Sequence, residues 1–503
     1  MHKIGARLTK DVHGPARAER LNITGLQWKR GDLAMQEIKR TLDQIRSVLD
    51  RGDILTDAKD ISGRVAWPGI GETCQAAAVV RPVTTEEVSA VIRICHEAEQ
   101  PVVTHGGRTG LVGAIRCKPN EIVLSMERMN RIEEIDELGR TMTVQAGVPL
   151  QVVQETAEKH GLLFPLDMGA RGSCHIGGNV VTNAGGNRVI RYGMTRELVL
   201  GLEAVLADGS VVSSMNHMIK NNAGYDLKQV FIGSEGTLGV VTRVVLKLSE
   251  QPKSQNAALV AIPSADKLTK FLKHVDVGLG GTLSAFEVMW NDFYRIVTTP
   301  PAKSSPPLSQ DHAFYVLVES MGGNQKRDDE RFEEVLGEAI EAELVEDAVI
   351  AKSSSEYHGL WSIRDDVEQL MQLKPLFVFD VSLPIAAMAD YVDGMRAKLR
   401  EQWPESKLVV FGHMGDGNLH VTVSAGKSNA ETRKAVEQIV YAPLAEVGGS
   451  VSAEHGIGLE KKPYLHLSRG PEEIAMMHTL KRALDPKGLL NPGKVIDMAT
   501  AND

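Results

Sequence analysis

Gly169-Ala-Arg-Gly-Ser-Cys-His-Ile-Gly177-Gly178-Asn-Val-Val-Thr-Asn183-Ala-Gly185-Gly186 places six glycines in eighteen positions. Each costs backbone entropy on folding, so a folded chain carries that density only where main chain must come close to something. Thr182 and Asn183 add hydrogen-bonding groups within it. Upstream, the run Val102-Val103-Thr104 leads straight into Gly106-Gly-Arg-Thr-Gly110-Leu-Val-Gly113. Taken alone, that loop reads equally as a surface turn or as a phosphate cradle, where bare N–H groups approach an anion. Downstream, Gly233-Ser-Glu235-Gly-Thr-Leu-Gly239 opens a further strand. Three such loops after strands, in one α/β half, point to a long ligand with a diphosphate and a flat ring. The spacing G-x-x-G-x-x-G is not the dinucleotide fingerprint, and no P-loop ending follows. FAD is therefore favoured over NAD.

Around these loops the periodicity predicts alternating elements. Ile38, Leu42, Ile45 and Leu49 recur at helical spacing and mark an amphipathic helix ending near Gly52. Ala76–Val80 reads as a buried strand, and Thr84 with Glu87 as a capping box opening a helix. Strands are expected at Ile122–Met126, Met142–Ala146, Leu198–Ala207 and Gly239–Lys247. Near residue 250 the character changes. Segments 257–262 and 313–319 read as strands, Arg331–Ala342 as an acidic helix, and the proline-rich run 299–307 as an irregular connection. The predicted layout is a basic arm over 1–35, an FAD-binding domain over 36–250, a substrate or cap domain over 251–425, and a C-terminal segment over 426–503.

In Phe411-Gly-His-Met-Gly-Asp-Gly-Asn-Leu-His420, two histidines sit symmetrically about Asp416-Gly417. Asp-Gly favours a tight hairpin, which would set His413 opposite His420 and let them share a metal ion. Glu454, followed directly by His455, offers a third ligand. Two His and one Glu leave coordination positions open, which suits catalysis better than a structural role.

Composition narrows the function classes. A net charge of −9 argues against a nucleic-acid binder. No apolar run reaches membrane-spanning length. The cysteines Cys74, Cys95, Cys117 and Cys174 show no CxxC spacing, as expected in a reducing compartment: the cytoplasm, or the mitochondrial matrix in a eukaryote. The first thirty residues hold seven Lys/Arg against two Asp/Glu and lack a secretory apolar core.

The stretches Gly106–Ala114, Pro165–Gly186, Asn222–Val241, Gly412–His420, Val451–Gly456 and Leu484–Pro492 together resemble a known family. It is that of the FAD-dependent D-2-hydroxy-acid dehydrogenases, in the vanillyl-alcohol oxidase / p-cresol methylhydroxylase superfamily. The motifs most resemble its D-2-hydroxyglutarate dehydrogenase branch, then its D-lactate dehydrogenase branch. The resemblance implies an α+β fold with a two-subdomain FAD-binding domain of the p-cresol methylhydroxylase type, a cap domain, and a C-terminal helical segment returning to the flavin. It implies non-covalent FAD, with Gly106, Gly107, Arg108, Thr109 and Gly110 at the pyrophosphate. Gly177, Gly178, Asn183 and Gly185 lie along the rest of the cofactor, and Asn491 near the isoalloxazine; Thr104, Gly113, Gly169, Asn179, Thr182 and Gly239 complete the set. His413, His420 and Glu454 match ligands of a divalent metal, read as zinc. His455 matches the catalytic base, and Arg364 a substrate-carboxylate arginine whose alternative is a surface ion pair with Asp365 or Asp366. An electron-transfer flavoprotein or a quinone is the implied acceptor, and a homodimer would be unsurprising. An oxygen-using oxidase of the same superfamily is the rival activity.

Three substrate-reading positions depart from the D-2-hydroxyglutarate pattern. Glu368 stands where that branch has threonine, Val378 where it has lysine, and Thr422 where it has asparagine. Losing a cation and gaining a carboxylate disfavours a second substrate carboxylate. D-lactate, or a D-2-hydroxy acid with a neutral tail, then competes with D-2-hydroxyglutarate.

Overall fold

The computed structural model describes residues 35–66 and 73–498. All but the last residue of the expected basic arm lies outside them.

The expected amphipathic helix runs over 35–48, with Ile45 fully buried. Thr84 caps the helix Thr85–Glu97 by accepting the Glu87 N–H at 3.2 Å. Glu87 does not complete a capping box. Its carboxylate accepts N–H groups of Val83, Asp50, Arg51 and Gly52, and so ties this helix to the turn after 35–48. A four-stranded sheet follows in the order Asp53–Leu55, Ala78–Arg81, Ile122–Ser125, Val102–His105. Its last three strands are parallel. A second sheet, of five antiparallel strands, has the order Ile132–Asp136, Thr141–Gln145, Val240–Lys247, Val199–Val205, Val211–Ser214. The predicted strands of the first half all appear, shifted by up to two residues.

The second half is built on one seven-stranded antiparallel sheet: Asp347–Ile350, Ser254–Ile262, Phe314–Gly322, Leu283–Trp290, Lys407–His413, Asn418–Ser424, Phe377–Ser382. Asn324 caps the acidic helix, which starts before the expected Arg331 and spans Gln325–Glu341. One face of the sheet packs Val260, Phe286, Val288, Val318 and Val421 on helices Ala265–Leu279, Gln325–Glu341 and Met388–Gln402. Helix Ala430–Glu446 joins the same core through Val436, Val440 and Leu444. After helix Pro471–Leu484 the chain turns back. Leu490 packs into the core of the four-stranded sheet, and Asn491 N–H donates to the Val102 carbonyl at 2.9 Å. Among the described residues no helix is long and apolar enough to cross a membrane.

The hairpin at 411–420 corrects one expectation. His413 does not oppose His420; Phe411 does, and His413 pairs with Glu287 on the neighbouring strand. The connection is a 3-10 turn over Met414–Asp416 closed by Gly417 at φ 88°, longer than a two-residue loop. A shift of two residues keeps His413 on the same sheet face as His420, because strand side chains alternate with period two.

Candidate active site

One face of the seven-stranded sheet carries Glu287, Asp380, His413 and His420, beside a second apolar cluster that includes Leu259, Leu317 and Phe411. His413 Nε2 lies 3.3 Å from His420 Nε2 and 3.9 Å from Glu454 Oε1, and His420 Nε2 lies 4.0 Å from Glu454 Oε2. A tetrahedral ion with bonds near 2.0–2.1 Å holds ligand atoms about 3.3 Å apart, so small closures complete the set. Glu287 Oε1 meets His413 Nδ1 at 2.7 Å, which orients the ring and leaves Nε2 for an ion. His413, His420 and Glu454 therefore fit a divalent metal.

A second grouping, Asp380 with His420 and His455, is geometrically compact but spoken for. Asp380 Oδ2 accepts the N–H groups of Ala453, Glu454 and His455 at 3.1, 2.9 and 3.0 Å, and Oδ1 accepts from Asn418 at 2.8 Å. Lys461, itself buried, donates to the Asp380 carbonyl at 2.9 Å. Asp380 organises the turn and is not free to coordinate.

Arg364 is buried, not in a surface pair. Its Nε donates to Glu287 Oε2 at 2.7 Å, its Nη2 stands 3.3 Å from His413 Nε2, and the guanidinium lies over the Phe411 ring. Asp365 is only a secondary partner, at 3.5 Å. Burial works against the Arg364 charge, and Glu287 outweighs it, so the cation is held firmly. Removing one member of such a buried pair typically costs about 3–5 kcal/mol. Burial lowers the pKa of His455 below the ordinary histidine value, with Asp380 opposing and Lys461 assisting. The ring is therefore neutral near pH 7.

The glycine loops converge beside this set. A Cβ on Gly107 would stand 2.0 Å from the Ser173 carbonyl, so the first two loops touch main chain to main chain. A Cβ on Gly185 would stand 2.6 Å from Glu454, and one on Gly236 2.7 Å from Asn491. Gly110, Gly169 and Gly178 instead face open space, as a cradle requires. Thr104 Oγ1, His175 Nδ1, Asn179 Oδ1 and Ser234 Oγ are buried without a hydrogen-bond partner among the described residues. Buried polar groups want partners, and this row of unpartnered atoms fits a polar ligand in the cradle. Arg108, at φ 59°, stands 3.7 Å from Glu127, which Arg64 and Arg81 also hold. The residues present fit FAD.

Other predicted positions are engaged in structure. Asn491 Oδ1 accepts the Thr104 N–H at 2.8 Å and its Nδ2 donates to the Glu235 carbonyl at 2.6 Å, so both ends of the amide are used. Asn183 ends helix Ile176–Thr182 in the left-handed conformation and accepts from the Arg196 N–H. Thr182 Oγ1 bonds back to the Gly178 carbonyl. Gly239 makes room for the Phe231 ring, and Gly113 turns at φ 73° beside Arg116. Thr109 is half-buried in the first loop. Val378 pairs with Thr422 on the face of His420, one pair further along; Val378 is 51% exposed and Thr422 is buried. Glu368 is exposed in the 3-10 turn Val367–Gln372.

Sequence reasoning missed Glu287, Asp380, Lys461 and Glu235. Glu287 did leave a signal. It is the lone ionisable residue of the strand Leu283–Trp290, and a carboxylate in so apolar a run needs a partner.

Residues 251–495 match the model of FAD linked oxidases, C-terminal domain, and residues 76–214 that of the FAD binding domain. The mitochondrial D-2-hydroxyglutarate dehydrogenase of Bos taurus is 40% identical over 450 residues, 88% of this chain and 81% of that one. A mitochondrial protein of Schizosaccharomyces pombe, whose name offers D-lactate dehydrogenase as a candidate activity, is 36% identical over 475 residues, 92% and 90% of the two chains. Among solved structures, substrate-bound p-cresol methylhydroxylase superposes with a TM-score of 0.74 at 16% identity, over 92% of this chain and 98% of that one.

Proposed function

This chain belongs to the FAD-linked oxidase family that contains the D-2-hydroxyglutarate dehydrogenases and is an FAD-dependent oxidoreductase of D-2-hydroxy acids, and on that premise we propose that it is a metal-assisted dehydrogenase whose chemistry runs between the glycine cradle and the His413–His420–Glu454 set. The observation that carries this reading is the three-ligand set seated directly against the Gly185 loop. When bound, FAD supplies the two-electron acceptor for hydride from substrate C2, and a divalent metal, zinc being the first candidate, supplies a Lewis acid for the C2 hydroxyl.

His455 removes the hydroxyl proton. Burial keeps the imidazole neutral near pH 7, and its main chain is held by Asp380. Arg364 binds the substrate carboxylate with the N–H edge that Glu287 leaves free, which fixes the face of C2 turned toward the cradle. Glu287 holds both Arg364 and His413, so the anion-binding group and one metal ligand share a single anchor. Gly106, Gly107, Arg108, Thr109 and Gly110 would hold the pyrophosphate, and Gly177, Gly178 and Asn179 the remainder. The half-exposed Val378 and exposed Glu368 offer a second substrate carboxylate no cation, which favours a neutral tail such as that of D-lactate. An electron-transfer flavoprotein or a quinone would serve as the electron acceptor.

Anaerobic addition of D-lactate and of D-2-hydroxyglutarate, separately, to FAD-loaded and metal-loaded protein tests this. Faster bleaching of the flavin absorbance by D-lactate is expected. Faster bleaching by D-2-hydroxyglutarate would overturn the substrate reading, and stoichiometric hydrogen peroxide in air would replace a dehydrogenase with an oxidase.

A further inference from the structure

The turn that presents Glu454 and His455 is grasped by two buried carboxylates from opposite sides. Asp380, on the cap sheet, accepts three successive N–H groups from Ala453, Glu454 and His455. Glu235, in the third glycine-rich loop of the flavin half, accepts the next two available, from Ile457 at 2.6 Å and Gly458 at 2.9 Å. Neither carboxylate points at the ligand set with a free oxygen. Gly456 turns between the two grips at φ 81°, and a Cβ there would stand 2.8 Å from Glu235 Oε1. The same Glu235 offers its carbonyl to Asn491 Nδ2, and Asn491 Oδ1 holds the Thr104 N–H at the mouth of the first loop. Glu235 is itself at φ 52° and donates its N–H to Val181 in the second-loop helix at 2.7 Å.

A carboxylate accepting several N–H groups fixes main chain more firmly than a neutral acceptor, because each bond is charge-assisted. Buried, neither acid could be left without those donors at tolerable cost. Resting on the functional reading above, we propose that Asp380 and Glu235 are positioning residues that jointly set where Glu454 and His455 stand. Glu235 is the joint through which the flavin loops fix the metal turn. The two grips differ in what else they hold. Asp380 also takes the Lys461 ammonium, whereas Glu235 is tied to the flavin loops through its own main-chain N–H and carbonyl. Loss of either carboxylate loosens the metal turn, while the main-chain ties of residue 235 to the flavin loops remain.

Cobalt(II) is the probe, titrated into FAD-loaded full-length protein against a competing chelator and read by its visible d–d absorption. Asp380→Asn should weaken cobalt binding about 10–100-fold, the usual cost of losing an outer-shell partner, with flavin retention unchanged. Glu235→Gln should also weaken cobalt binding, with flavin retention unchanged because its main-chain bonds persist. If both variants bind cobalt within twofold of the parent while Glu454→Ala abolishes binding, the positioning roles are wrong and the metal reading stands. If Glu454→Ala binds cobalt as the parent does, the metal reading fails and takes the positioning roles with it. Should Asp380→Asn fail to fold, judged by its flavin spectrum, Glu235→Gln alone decides: unchanged cobalt affinity overturns the proposal.

Discussion

The two faces of the seven-stranded sheet share one hydrogen-bonded ladder but differ in what they bury. One face packs the larger apolar cluster, with Phe271 and Phe286 ring centroids 5.8 Å apart within it. The other face packs a second apolar cluster, which includes Leu259, Met289 and Leu317, and sinks Glu287, Glu319, Asp380 and His413 beside it. Each charge there has an assigned counterpart: Arg364 and His413 for Glu287, Arg188 for Glu319, Lys461 for Asp380. Ser284 and Tyr357 also donate to Glu319. Both apolar clusters stabilise by area removed from water. The charged groups of the second face add little net stability, because desolvation offsets attraction, and they hold geometry instead. One sheet thus carries apolar packing on both faces and the chemical groups on one, one residue apart along each strand.

That contrast can be broken from either side. Glu454→Ala should lower kcat about 10³-fold or more, since several kcal/mol of charge stabilisation disappear, while the flavin spectrum and urea midpoint hold. Phe271→Ala should do the reverse. A loss of about 3–5 kcal/mol in urea unfolding is expected, with turnover per folded molecule unchanged. If Phe271→Ala lowered kcat as severely as stability, the two roles would not be separable. Glu287→Gln sits on the boundary. It leaves Arg364 buried beside a neutral amide, so both thermal stability and cobalt affinity should fall.

The smaller effects sharpen the comparison. In chelator-treated protein, burial pulls the His413 imidazolium down, but the Glu287 carboxylate outweighs it and holds the pKa up at about 9. A raised cation pKa contributes stability fully below the unfolded value near 6.5 and loses it as pH rises through about 9. Denaturation scans of chelated protein should therefore show stability falling across pH 6.5–9, and His413→Ala should abolish that slope. Last, Val378→Lys combined with Thr422→Asn should raise kcat/KM for D-2-hydroxyglutarate by no more than about fivefold. Residue 378 is half exposed, and exposed charge pairs are worth at most about 1 kcal/mol. No change relative to D-lactate would show that these positions do not read the substrate tail.

Much of this was legible in residue order. The glycine density of 169–186 marked a cradle, and the structure packs that loop against 106–113 as main chain on main chain. The strands of the first half were readable because β-branched runs between turn residues are local signals. The candidate ligand residues were legible by type, but their register was not. A symmetric reading about Asp416-Gly417 set His413 opposite His420, whereas Phe411 takes that place. For Arg364 the sequence left a surface ion pair open as the alternative, and its helix, Ser354–Asp365, buries it against Glu287 instead.

The chain by itself determined the chemistry on offer: bare glycine backbone, and two imidazoles and a carboxylate near a turn. Those are properties of residue type and short spacing, and they survive without coordinates. Only the tertiary structure decided who holds what. Glu287 meets His413 across 126 residues of chain, Asp380 meets the Glu454 N–H across 74, and Glu235 meets Gly458 across 223. Such partners are chosen by which strands pair and which loops converge. Pairing is settled by the burial of whole faces at once, and no local stretch of sequence encodes it.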